Sequence, residues 1–376
     1  MKKLFIFILA FIFFFSSFVS FAAAEERKDI EADVGYSDFF ASLPEGLRQN
    51  LPDGASGEDS LSDAEAVFEW NFILSALAEI FGREIKNVLP LFCTLCATVL
   101  AAAAMGAIRG AVSEKFAPIL SFCSGAAVCA ASLALQYSVL SSVSRYLSDL
   151  CVLINALLPL TVSLYAAGGN VAAASVSAGG FGIFLNLCEN FLCKTIMPFC
   201  GVCLAFALCT AVSPSVNLRP LAGTVKKTYT TLLSFISMLF CFILAAQNAI
   251  AVGHDTLSLR AAKFVAGSAV PVLGGVMSES MKAFFASVGI LRKSIGAIGI
   301  ALILMLFLPI LISLFLTKLA NSTAAGFAAL LGCERESVLL SEIASVYGYV
   351  CAVLCVSAVS FVFVLTLLIT TAAAGA

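Results

Sequence analysis

Residues 295–317 read IGAIGIALILMLFLPILISLFLT, from Ile295 to Thr317, with Arg292-Lys293 just before them and Lys318 just after. The run holds no charge, and at about 1.5 Å per residue a helix of this length crosses a hydrocarbon core of about 30 Å. Helix is the form it must take there, because no lipid-facing backbone N–H or C=O finds a partner outside its own segment. The same texture recurs near 88–108, 117–137, 150–168, 196–213, 229–250 and 346–371. Between the runs lie charged breaks: Arg109…Lys115, Arg145…Asp149, Arg219…Lys227, Arg260…Lys263, Arg292-Lys293 and Lys318…Glu342. The fold class expected is all-α, a polytopic helical membrane protein of about seven spans.

The whole chain agrees with that local reading. Of 376 residues, 61% are apolar and 12% are charged, against about 25% charged in an ordinary soluble domain. Mean hydropathy is +1.05. This excludes a soluble enzyme and a disordered chain. It also excludes nucleic acid as a partner, since no basic face is present to neutralise phosphates; the lipid bilayer is the partner implied. The net charge of −2 conceals an uneven distribution. Residues 1–24 carry +2, residues 25–86 carry 15 acidic and 5 basic groups, and residues 87–376 carry 8 acidic and 14 basic groups. Different segments therefore meet different solvents.

Three regions follow. Residues 1–24 read as a signal peptide: Lys2-Lys3, the Phe-rich apolar run Leu4–Val19, then Ala22-Ala23-Ala24 before Glu25. An uncleaved first membrane helix is the alternative. Residues 25–86 form an acidic extracytoplasmic head, punctuated by Leu43-Pro44-Glu45-Gly46 and Leu51-Pro52-Asp53-Gly54. From Asp63 its apolar positions take helical spacing (Val67, Phe68, Ile73, Leu74, Leu77, Ile80, Phe81), and an amphipathic helix there places Trp70 at the headgroup level. Residues 87–376 are the multi-span membrane domain. With seven spans and the head outside, inner loops hold eight basic residues against six outside; counting 171–192 as an eighth span makes the two sides equal.

Two stretches are only semi-apolar and read as re-entrant or broken helices. Val171–Leu192 contains Gly179-Gly180-Phe181-Gly182, and Phe264–Ile290 contains Pro271, Gly274-Gly275, Glu279 and Lys282. Such backbone survives at membrane depth only when shielded by protein or lining a wet cavity. Glu189 and Lys194, five residues apart, are candidate intramembrane charges that pair or face water, or else mark a span end. Fourteen cysteines all lie at or beyond Cys93. Cys93-x-x-Cys96 and Cys200-x-x-Cys203 lack the further ligands of a zinc site and the βαβ setting of a redox site, so they read as small apolar core residues. The single histidine, His254, sits in the loop-like Gly253-His254-Asp255, and neither HExxH nor a P-loop is present. No catalytic, metal or cofactor group is expected. Small residues such as Ala101–Ala104 with Gly106 and Gly110 suit a tightly packed bundle or a homo-oligomer.

The segment Asp255-Thr-Leu-Ser-Leu-Arg260-Ala-Ala-Lys263-Phe-Val-Ala-Gly267-Ser-Ala-Val-Pro271-Val-Leu-Gly274-Gly275 has its own texture. Arg260 and Lys263 hold its start at the membrane surface, and Gly267 and Pro271 interrupt a helix dipping inward, as in the broken helices of transporters. With Gln247 before it and Ser278-Glu279-Ser280 after it, this stretch resembles the stage III sporulation protein AE family of endospore-forming Firmicutes. The likeness is closest over Lys226–Gly296 and covers the whole chain; the head and the small-residue-rich first half depart most. The resemblance implies a non-enzymatic subunit of the channel complex between mother cell and forespore, lying in the mother-cell membrane around the forespore. Its partners would be the other proteins of the same operon and a forespore-side protein, and the complex would be needed for forespore development and late forespore gene expression. A candidate functional segment of Asp255, Arg260, Lys263, Gly267, Pro271, Gly275 and Glu279 goes with it. A stand-alone secondary transporter and an intramembrane enzyme are the alternatives.

Overall fold

The computed structural model describes residues 70–109, 117–167, 188–212, 219–269 and 274–370, with short stretches between 174 and 184. For 70–77, most of 117–136 and nearly all of 248–301 it describes the backbone alone. Every described element is helical. In chain order these are α1 (Trp70–Arg109), α2 (Ala117–Ala167), a π-helical turn (Cys188–Cys193), α3 (Lys194–Val212), α4 (Arg219–Ala269), α5 (Gly274–Leu330) and α6 (Glu334–Thr370). Six stretches are long and apolar enough to cross a membrane: Ala78–Ile108, Tyr137–Ser163, Asn190–Cys209, Pro220–Gln247, Leu302–Leu330 and Glu334–Thr366. The expected signal peptide and most of the expected head lie outside the described residues.

Side-chain contacts set the helix directions. Tyr146 of α2 meets Phe307 of α5, while Leu157 reaches Gly299, so α2 and α5 run antiparallel. Gly299 also faces Leu365, and Gly348 faces Lys318, so α5 and α6 run antiparallel too. Lys226 of α4 bonds Ser345 of α6, and Tyr229 packs on Tyr349, which makes those two parallel. Thr195 of α3 bonds Tyr229. Residues 88–99 of α1 share a small core with residues 320–328 of α5. The main core gathers buried residues of α2 to α6, and α6 lies at its centre, with 67% of its apolar stretch buried against 11% for α4. Phe235, Met238 and Phe242 of α4 face outward, at 62–75% exposed, as a lipid-facing surface requires.

Several expected breaks are absent. Arg145 and Asp149 lie inside the continuous helix α2, so 117–137 and 150–168 are not two spans joined by a loop. Lys226 and Lys227 are helical, six and seven residues into α4's apolar stretch, rather than loop anchors. Gly253-His254-Asp255 and Arg260…Lys263 belong to the same helix, and Arg292-Lys293 and Lys318 belong to α5. In each case long-range helical propagation outweighs one or two charges, which can reach out from a helix as readily as from a loop. The predicted break Lys318…Glu342 shrinks to the turn 331–333. There Gly332 takes φ 76°, a conformation that suits glycine, and the N–H groups of Gly332 and Cys333 close on the carbonyls of Ala329 and Ala328.

Over Val171–Leu192 the described residues are helical at 174–175, 178–180 and 182–184, and a π-helical turn at Cys188–Cys193 runs directly into α3; the positions at which a break was expected lie outside the described residues. Phe184 anchors this segment in the core, 1% exposed. Its ring lies 5.2 Å from Phe240 and 5.0 Å edge-on from Phe361. Over Phe264–Ile290 the described helices stop at Ala269 and resume at Gly274. Helix therefore continues through Gly267, and only 270–273, including Pro271, lie outside it and outside the described residues.

A polar cleft and a buried ion pair in the membrane domain

Polar residues recur at helical spacing on three apolar helices. On α2 they are Ser138, Ser142, Arg145 and Asp149; on α5, Ser313, Thr317 and Asn321; on α1, Arg83, Asn87 and Thr94. Each set lies along one stripe of its helix. The fold turns the stripes of α1 and α2 and the Ser313–Thr317 part of α5 toward one another, enclosing a cleft of about 620 Å³. Arg83 and Glu84 of α1 and Asp149 of α2 lie at one end, level with Met305 of α5. Thr94, Ser138 and Thr317 lie at the other, about 17 Å further along the helix axes at about 1.5 Å per residue. Charge thus gathers at one end and neutral hydroxyls at the other.

Two hydroxyls of the lining bond backbone carbonyls of their own helices. Thr94 donates its hydroxyl proton to the Pro90 carbonyl at 2.8 Å, and Ser142 donates to the Ser138 carbonyl at 3.1 Å. Tyr146 and Thr317 are 3% and 0% exposed, and the Tyr146 hydroxyl and Thr317 Oγ1 have no protein partner. A buried hydroxyl without a partner costs about 1–3 kcal/mol. Pro90 and Pro309 line it as well.

On the opposite side of α5 lies a second polar group. Lys226 of α4, 8% exposed, sits 3.9 Å from the Glu342 carboxylate of α6 and donates to Ser345 Oγ at 3.1 Å. Tyr229, one turn on, shares a 2.6 Å hydrogen bond with Thr195 and packs on Phe199 and Tyr349. The α4 positions Ala222, Lys226, Leu233, Cys241 and Leu244 are all buried. Lys226 thus occupies a core position of the helix, and its helical spacing from those apolar residues is the signal that reveals it.

The sequence-predicted sites are brought together only in part. Lys194 is exposed and donates to Asn190 at 2.6 Å, while the side chain of Glu189 lies outside the described residues. Asp255, Arg260, Lys263 and Gly267 share α4, and Gly275 and Glu279 share α5; their side chains, and Pro271 altogether, lie outside the described residues. Cys200 and Cys203 are buried core residues. Among the described residues no three His, Cys, Asp or Glu side chains could together hold a metal ion.

The family model for stage III sporulation protein AE matches residues 57–374, which takes in all six apolar stretches and both polar groups. The chain belongs to the stage III sporulation protein AE family. A curated relative, the stage III sporulation protein AE of Bacillus subtilis (strain 168), is 22% identical over 332 residues, covering 87% of this chain and 81% of the relative. No solved structure matches the chain. It is a helical membrane protein of a sporulation family.

Proposed function

We propose that the chain is a non-enzymatic, permease-like, multi-pass subunit of the channel complex between mother cell and forespore. In this reading it lies in the mother-cell membrane around the forespore, with a signal peptide at 1–24 and the acidic head of 25–86 outside the cytoplasm. The observation that carries it is the family match through the whole membrane domain. The cleft between α1, α2 and α5 supports a permease-like role, because a polar lining between apolar helices is how a membrane protein accommodates a hydrophilic passenger. Other subunits of the same complex are the partners, meeting the head and the lipid-facing helices, and a second copy of the chain is a further one. The segment Asp255–Glu279 is the element whose break would couple the two long helices α4 and α5.

A stand-alone secondary transporter is the second reading, favoured by the Lys226–Glu342 pair within the apolar stretches. Deleting the coding sequence in a spore former, with complementation, separates the two. The channel reading expects heat-resistant spores to be lost on deletion and restored by the intact chain. Normal spore numbers after deletion, with solute uptake by the purified chain alone in proteoliposomes, would establish the second reading instead.

A further inference from the structure

We infer that the open stripe of α6 between α4 and α5 is a docking site for a transmembrane helix of another protein, one that carries a carboxylate near mid-membrane. The argument starts from Lys318. It lies sixteen residues from Leu302 and twelve from Leu330, the ends of the apolar stretch of α5, or about 24 and 18 Å along the axis at about 1.5 Å per residue. That is further from either headgroup layer than a lysine side chain reaches, since snorkelling serves lysines near helix ends. Lys226 has its carboxylate in Glu342, but among the described residues no carboxylate pairs with Lys318. Its ammonium group occupies instead the space over Gly348 of α6. A charge at that depth is costly until an opposite charge meets it.

The surface beside Lys318 is shaped for a helix. Ser341, Ser345, Gly348 and Ala352 follow at intervals of four, three and four along α6 and so form one stripe. The two serines are exposed, and Gly348 and Ala352 part-exposed, on a helix otherwise largely enclosed. Lys226 reaches Ser345 from α4 and Lys318 reaches Gly348 from α5, so those two helices flank the stripe. Small residues let membrane helices approach closely, and hydroxyls bond across them. Charge decides the occupant. Lysines stand at both edges against the one carboxylate of Glu342, and a lipid tail offers nothing to balance the excess. A second copy is unsuited as well. Among the described residues of its apolar stretches, the carboxylates away from the ends are Glu84 and Asp149, which line the cleft, and Glu342, which is paired. A helix of a different protein with an acidic residue at its middle supplies what is missing.

This inference rests on the chain working beside other subunits, as in the proposed function, but its test measures helix docking and not sporulation. The full-length chain in lipid nanodiscs is titrated with a labelled synthetic Leu/Ala transmembrane helix bearing one glutamate at its centre, and with the same helix bearing glutamine. Saturable association is expected, about tenfold tighter for the glutamate helix. Lys318→Met is expected to abolish that preference. With no probe present it is also expected to raise the unfolding temperature, because it removes an uncompensated charge. Ala352→Leu, which fills the stripe, is expected to weaken both probes, while Thr323→Val, at an exposed position of α5 off the stripe, changes neither. Equal association of the two helices, or a preference undiminished in Lys318→Met, overturns the assignment. So does efficient disulfide joining of two copies through Ala352→Cys on a background cleared of native cysteine, which makes a second copy the occupant. If the probes show no preference while deletion still abolishes heat-resistant spores, the docking assignment falls and the channel reading stands.

Discussion

A lysine inside an apolar helix keeps its charge at reasonable cost only beside a carboxylate or water. Lys226 has the carboxylate, Glu342. Removing one partner of a buried pair leaves the other uncompensated, whereas replacing both by apolar groups is often close to neutral. Lys226→Met is therefore expected to lower the stability of the bundle, by less than a fully buried pair would because Glu342 is part-exposed, and Lys226→Met with Glu342→Met to recover part of that loss, as read by thermal unfolding in detergent. Lys318 is accommodated differently. A Cβ placed on Gly348 would stand 2.9 Å from its ammonium nitrogen and 3.2 Å from its Cε, so Gly348 is the space that the lysine occupies. Gly348→Leu is expected to lower the unfolding temperature, and Gly348→Leu with Lys318→Ala to restore part of it. Sequence alone sets both lysines in loops, because a charge between apolar runs is the ordinary mark of a span end. What distinguishes Lys226 is its helical spacing from Ala222, Leu233, Cys241 and Leu244.

At the scale of elements, the segment before α3 is anchored by one ring. Phe184 fills a site between Phe240 of α4 and Phe361 of α6, and Phe184→Ala is expected to cost about 3–5 kcal/mol in the same unfolding assay. Gly180 lies close to α4 as well: a Cβ there would overlap the tip of Leu244. The glycines of this stretch mark it in the sequence as broken, and the described irregularity there is the π-helical turn Cys188–Cys193. The second stretch read as broken is helical through Gly267, and only Pro271 and its neighbours remain as the candidate interruption. Replacing Pro271 by Leu is expected to reduce heat-resistant spores while the protein still inserts in the membrane, and Gly267→Leu to have the smaller effect. Equal, unimpaired sporulation in both variants would remove the segment from the functional site. The apolar runs declare the helices plainly. Their ends are less legible, since a continuing helix carries a charged residue such as Arg145 to a neighbour without needing a loop.

Across the molecule, successive long helices alternate in direction, so the start of α1 and the end of α6 lie on the same side of the bundle. Cysteine labelling on a background cleared of native cysteine tests the arrangement. A cysteine at Ser142, in the cleft, is expected to react with a water-soluble thiol reagent, and one at Phe235, on the outward face of α4, to stay unreacted. Each of the six apolar stretches overlaps a run expected from composition, while the seventh run, 117–137, is continuous with the same helix as Tyr137–Ser163. The cleft was not read, although its polar stripes were present, because only packing shows that the stripes of α1, α2 and α5 converge. The position of α6 has a consequence in time. It is the most enclosed of the six apolar stretches, yet it follows all the others as the chain is made from its N-terminus. Until it arrives, the earlier helices surround a place that nothing occupies, so the bundle closes from the centre at the last step. A chain cut short before Glu334 would lose its middle and not merely its edge.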